Sequence, residues 1–313
     1  LPKSGGEYHF LTEIYHPCAG FISGWVSATV GFAAPTALAA LTLGSYLGAS
    51  GLSVNPTWVA TAAIVLLTAA HCTSHRRSGG TQTIFTLVKL ILILGFSAAA
   101  LLLGSTEHQA DFTWGSDSGA LLGSGAFAVS LIYVNYAYSG WNAATYISGE
   151  LASPQKSLPW VLGISTTVVA VLYCVLNYVF LSVAPMDAMI GKVEIGVIAA
   201  EFAFGSTLGA SMGLLLALLL ISTISAMILA GPRVLQRIGQ DYPRFAPLAR
   251  QNQDGIPVTA ILLQSSTALL FLWSASFEQI LIFSGATMAL NTFATVLGLF
   301  VLRWRQPELR RPF

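Results

Sequence analysis

Apolar residues in this chain neither alternate with a period of two nor gather into short one-sided helical stripes. They continue for about 20 residues at a time, the length an α-helix needs to cross the hydrocarbon of a bilayer. Eight such segments stand out, at 17–48, 56–74, 83–104, 121–150, 159–184, 206–231, 257–275 and 278–302. The pattern predicts an all-α polytopic membrane protein, one transmembrane domain over 1–313. The first segment is longer than a simple span and holds Pro35, which predicts a tilted or kinked helix. Pro56, Pro159 and Pro257 fall where a first helical turn tolerates a missing N–H.

The polar positions between these segments are ordered by side. Lys3, Arg76, Arg77, Lys156, Arg233, Arg237, Arg244, Arg250, Arg303, Arg305, Arg310 and Arg311 all fall on one face when the segments are threaded alternately. Of the two other cations, Lys192 lies opposite and Lys89 lies inside the third segment, while the outer stretch 105–120 carries Glu107, Asp111 and Asp117. Cations concentrate on the cytoplasmic side of membrane proteins, so both chain ends are expected there. The stretch 233–255 predicts a cytoplasmic amphipathic helix and turn. A solvated loop accounts for its arginines, with contact to anionic lipid as the alternative.

Composition narrows the class further. Of the 313 residues, 55% are hydrophobic and 9% charged, with a mean hydropathy of +0.72. Soluble domains carry about 25% charged residues, so a water-soluble globule is excluded. A net charge of +1 excludes a nucleic-acid partner, which needs clustered excess cation. Cys18, Cys72 and Cys174 sit in apolar stretches and read as small buried hydrophobes rather than bridges. Residues 1–13 are polar and lack the apolar core of a signal peptide.

Chemistry must come from places where the apolar pattern breaks. In the fourth segment two asparagines, Asn135 and Asn142, flank Tyr136, Ala137, Tyr138, Ser139, Gly140 and Trp141. Gly140 permits the helix to unwind, which would bare carbonyls and amides suited to a zwitterion's ammonium and carboxylate. A small-residue packing seam is the competing reading. Lys89 in the third segment is either an internal cation bridging helices or an anchor snorkelling to the interface, about 12 Å of helix from Thr81. Ser222, Thr223 and Ser225 in the sixth segment either face a partner or bond to their own helix. Asn177 and the pair Asn291-Thr292 read as interhelical polar contacts. Gly123-Ser124-Gly125 follows no strand, so it is no phosphate cradle, and His71, Cys72 and His75 lack a second ligand cluster for a metal. No set of residues for nucleophilic catalysis shares a membrane depth, so an enzyme is not expected.

Five motifs in order carry a resemblance. They are Leu1-Pro2-Lys3-Ser4-Gly5-Gly6-Glu7-Tyr8; the segment Tyr136 to Asn142; Gly149-Glu150 with Pro154-Gln155, Ser157 and Leu158-Pro159; Ala230-Gly231-Pro232-Arg233; and Leu302-Arg303-Trp304-Arg305 with Pro307, Leu309 and Pro312-Phe313. Together they resemble the amino acid–polyamine–organocation (APC) superfamily of transporters, in its L-type amino acid transporter branch. The resemblance implies a LeuT-like inverted-repeat fold of twelve helices, of which these eight would be the third to the tenth. The chain is then expected to be a piece truncated at both ends, without the family's unwound first helix.

The resemblance also implies roles. Tyr136, Ala137 and Ser139 match positions whose carbonyls take the substrate ammonium, and Gly140, Trp141 and Asn142 line the pocket and hinge. Tyr136 is also the aromatic gate. Lys89 matches a lysine that stands in for a sodium ion, with its hydroxyl partner among Ser222, Thr223 and Ser225. Glu150 matches an acidic position of the inner gate. The implied function is sodium-independent transport of amino acids, neutral ones by the lack of charge in the half-site, through alternating access in the plasma membrane. Exchange, facilitated uptake and proton coupling stay open, and no cofactor is implied. Stretch 48–57 has no cysteine, so a disulfide-linked heavy chain is not expected. An inert fragment, a polyamine or other organocation carrier, and an ion channel are the alternatives.

Overall fold

The computed structural model describes residues 5–73, 78–104, 115, 118–146 and 153–308. Every regular element among them is helical. A short helix α1 (Gly6–Ile14) precedes α2 (Pro17–Val26), which passes through a π-helical turn at Ser27–Phe32 into α3 (Ala33–Ala49). Then follow α4 (Pro56–Thr73), α5 (Ser78–Leu103), the short α6 (Ser118–Leu122) and α7 (Gly125–Ala137). After a break come α8 (Ala143–Tyr146), α9 (Pro154–Val183), α10 (Met186–Met189), α11 (Ile195–Phe204) and α12 (Ser206–Ala230). The chain ends with α13 (Pro232–Asp241), a 3₁₀ turn at Pro243–Phe245, α14 (Ala246–Ala249), α15 (Val258–Ser274) and α16 (Phe277–Arg305).

Six stretches among the described residues are long and apolar enough to cross a membrane: 17–49, 56–73, 83–103, 155–183, 206–241 and 277–305. The two other predicted spans differ in form. α15 has 17 residues, about 26 Å of helix. The fourth predicted span starts later, at Gly125, and is interrupted after Ala137. Pro159 lies inside α9 and not at its start, because Pro154 already occupies the first turn. The pattern also gave no warning of α1 or α11. Both are short, and α1 buries Glu7 and Tyr8, polar residues that hydropathy scores as exposed.

α3 is the centre of packing. Ala33, Ala37 and Ala40 fall on one helical face and are fully buried against α4, α12 and α15. Small residues at this spacing let helix backbones approach where lipid gives no hydrophobic drive between helices. The approach is closest at Gly44, where a Cβ would lie 2.5 Å from the Pro56 Cα. A second cluster joins Phe96 and Ala100 of α5 to Val179 and Val183 of α9 and to α11. The outward faces stay apolar, as at Ile91 and Leu102, and suit lipid. Cys18 and Cys174 lie on such outer surfaces, a correction to their expected burial. An apolar environment in a membrane protein can be lipid as well as core, and hydropathy does not separate the two.

One end of the bundle gathers α1, α13 and the close of α16. Tyr8 Oη donates to Asp241 at 2.6 Å, and Arg305 donates to the Ile14 carbonyl at 2.8 Å, satisfying the end of α1. Burial and the Asp241 carboxylate push the Tyr8 phenol above its usual range. α13 is amphipathic as expected, with Val234, Leu235 and Ile238 buried and Arg233 and Arg237 exposed. Its Arg237 pairs with Asp241 at 3.2 Å.

Candidate substrate site

The break in the fourth predicted span is a five-residue turn, Tyr138 to Asn142, between α7 and α8. Gly140 sits at φ +91°, where a side chain would strain the backbone. The turn closes partly on itself. The Tyr136 carbonyl accepts from the Ser139 amide at 3.0 Å and from Ser139 Oγ at 2.7 Å. The Ala137 carbonyl accepts from Tyr173 Oη of α9 at 3.1 Å. Among the described residues the carbonyls of Tyr138 and Ser139 accept nothing, and the amides of Gly140, Trp141 and Asn142 donate to nothing. Bare carbonyls and bare amides thus lie within a few residues of one another.

Of these residues Ser139, Gly140, Trp141 and Asn142 border a cavity of about 440 Å³, and Tyr138 does not. Tyr136, Ala137, Ser139, Gly140, Trp141 and Asn142 all line it, so the six predicted binding residues come together. The Tyr136 carbonyl accepts from Ser139 and the Ala137 carbonyl from Tyr173, while the Ser139 carbonyl accepts from none of the described residues. Ser139 and Gly140 of the turn are exposed. The rest of the wall includes Phe32 of the π turn, Tyr173, Phe277 and Met288. Sequence reasoning missed these. Tyr173 has a detectable signal, since it is a tyrosine on a long apolar helix, and it also stacks edge-on against Tyr138 at 5.2 Å.

Lys89 turns inward. Its Nζ donates to Thr223 Oγ1 at 2.7 Å, tying α5 to α12. The contact lines a second groove of about 280 Å³, which shares Thr42 and Thr223 with the larger cavity. Of the three candidate hydroxyls Thr223 meets the lysine, Ser225 meets His71 Nε2 at 2.8 Å, and Ser222 is buried without lining either space. Asn177 donates to the Tyr173 carbonyl of its own helix at 2.8 Å, a correction to its interhelical reading; a mid-helix polar side chain finds the carbonyl four residues back more readily than a neighbour. Asn291 does reach across helices, to Glu7. Ser124 of the rejected glycine pair caps α7, accepting from the Phe127 amide at 3.2 Å. Glu150, His75, Arg76, Arg77, Arg310, Arg311 and the 105–114 stretch lie outside the described residues.

A helical membrane bundle with a broken helix at its central cavity defines a class of small-solute transporters. The chain belongs to the amino acid permease family, whose profile matches residues 1–313, and is an integral multi-pass membrane protein rather than an enzyme. It is 26% identical over 329 residues to the large neutral amino acids transporter small subunit 2 of Mus musculus, covering 100% of this chain and 60% of that protein. It is 26% identical to the Homo sapiens b(0,+)-type amino acid transporter 1 over 333 residues, 100% of this chain and 65% of that protein. Identity to the Asc-type amino acid transporter 1 of Mus musculus is also 26%, over 344 residues with 100% and 60% coverage. The chain therefore spans between 60% and 65% of the length of these relatives.

Proposed function

We propose that the protein containing this chain carries neutral amino acids across the plasma membrane by alternating access, independently of sodium, in exchange or facilitated mode. The observation that carries the reading is the turn at Tyr138–Asn142, where the bare Ser139 carbonyl and the bare amides of Gly140, Trp141 and Asn142 belong to residues lining a central cavity. A zwitterion offers donors and an acceptor of its own, and pairing them with unsatisfied backbone repays the cost of leaving those groups unpaired. The Ser139 carbonyl takes the ammonium. Tyr136, Trp141 and Asn142 shape the pocket around the side chain, and Gly140 is the hinge. Lys89 supplies through Thr223 a fixed positive charge where a transported cation would otherwise be needed, which supports sodium independence. Among the described residues no charged side chain lines the cavity, in keeping with a neutral cargo. The basic end of the bundle, with α13 and the end of α16, faces the cytoplasm, and no heavy chain is disulfide-linked through 48–57.

Transport follows from differential binding: a substrate that pairs better in the occluded state shifts the population towards closure of α7 and α8 on the α3 scaffold. The test is counterflow of labelled L-amino acids, one at a time, into liposomes holding the purified full-length protein, with and without sodium. Neutral substrates should exchange at rates unchanged by sodium. Lys89→Ala and Ser139→Trp should each lower exchange by at least about tenfold, the order of one lost charge-assisted contact. Undiminished exchange in both variants would remove the site assignment.

A further inference from the structure

We propose that Glu7, Ser27 and Asn291 form a buried latch that fixes one wall of the substrate cavity, with Glu7 as a positioning residue. Glu7 is 2% exposed and Asn291 9% exposed. Glu7 Oε2 accepts from Asn291 Nδ2 at 2.6 Å and from Ser27 Oγ at 3.2 Å, and Asn291 Nδ2 lies 3.4 Å from Ser27 Oγ. The three side chains therefore join α1, the π turn and α16. A buried carboxylate is costly unless hydrogen-bonded, so this contact holds its elements at a defined spacing.

The latch lies directly behind the cavity. Ser27 lines it, and on α16 so do Met288 and Thr292, the residues one turn before and one place after Asn291. Glu7 and Asn291 do not line it themselves. Their effect on substrate must pass through Ser27 and the two α16 residues. α1 is also held independently, by Tyr8 on Asp241 and by Arg305 on the Ile14 carbonyl, so loss of the latch loosens the wall without releasing α1.

This inference rests on the transport reading above, and its test separates the two. The amide and the carboxylate can trade places without a change in side-chain length. Asn291→Asp alone sets two carboxylates against each other, and adding Glu7→Gln restores one donor and one acceptor. Counterflow of labelled L-leucine by the purified full-length protein gives KM and maximal rate, and unfolding temperature is recorded beside them. Asn291→Asp should raise KM about tenfold, and the double swap should return it to within about twofold of the unsubstituted protein with little change in maximal rate. Should Asn291→Asp fail to accumulate, Asn291→Ala and Glu7→Ala form a double-mutant cycle whose losses should be non-additive. A swapped pair no better than Asn291→Asp, or additive alanine losses, would overturn the latch. An unsubstituted protein that moves no L-leucine counts against the transport reading instead. The latch is then decided by unfolding temperature, which the swap should restore and a false pairing would not.

Discussion

Among the described residues two helix interruptions border one cavity, and they are built oppositely. At Ser27–Phe32 the ladder slips into a π turn but stays closed. Thr29 and Thr36 return their hydroxyls to the Trp25 and Phe32 carbonyls at 2.7 Å, and Ser27 bonds to Glu7. At Tyr138–Asn142 the ladder opens, Gly140 takes a positive φ, and backbone groups are left bare towards the cavity. The first interruption bends a scaffold while satisfying it, as π turns at functional sites do. The second stores unpaired backbone for a ligand to satisfy. A helix break is thus informative by where its hydrogen bonds go, more than by the break itself.

The sharpest way to break that contrast is at Gly140. Gly140→Val places a β-branched residue at φ +91°, where nothing crowds a Cβ but the backbone itself is strained. The turn must then close differently, and exchange should fall about a hundredfold, the rate equivalent of roughly 2–3 kcal/mol of strain. Counterflow measured beside unfolding temperature checks this: activity should be lost with the fold retained. Near-normal exchange would mean that the open conformation is incidental.

Thr223→Val should follow in size. It keeps the shape and removes the oxygen that Lys89 Nζ meets at 2.7 Å. A half-buried ammonium then loses its partner, and exchange should drop about tenfold, with Thr223→Ser restoring most of it. Tyr173→Phe comes next. It frees the Ala137 carbonyl and unties α9 from the turn, so KM should rise about threefold to fivefold for one neutral hydrogen bond. If KM falls instead, the tyrosine competes with the substrate for that carbonyl rather than holding the turn for it.

What was legible in the sequence follows the same division. The open break announced itself, because glycine, serine, asparagines and aromatics displace leucine and valine for eight positions from Asn135 to Asn142. The π turn did not: its SATVGF has ordinary helix-compatible residues, and Pro35, the sequence's hint of a kink, lies a few residues beyond it. Lys89 was conspicuous as a cation in an apolar helix, but its partner was not, since Ser222, Thr223 and Ser225 lie close together and only tertiary register separates them. Tyr173 and the pair Glu7 and Asn291 act across 36 and 284 residues of chain, and local pattern carries no record of such pairings. The closure of the turn by Ser139 onto the Tyr136 carbonyl was equally hidden, since it is a matter of dihedrals rather than composition.

The smallest expected effect is the most exacting test of the contrast. Gly31 lies in the π turn and borders the same cavity as Gly140, yet its φ is not in the left-handed region. A Cβ there would approach Met288 Sδ at 3.0 Å and Cε at 3.7 Å, with no other heavy atom within 4 Å. The thioether end of a methionine is adaptable and can yield a few tenths of an ångström. Alanine also gains up to about 1 kcal/mol over glycine in helical backbone, which offsets that small displacement. Gly31→Ala should therefore leave the unfolding temperature within about 2 °C and KM within about twofold, against a large loss at Gly140. If Gly31→Ala instead matched the loss at Gly140, the π turn would also be working as open backbone, and the division between a satisfied bend and an unsatisfied break would not hold.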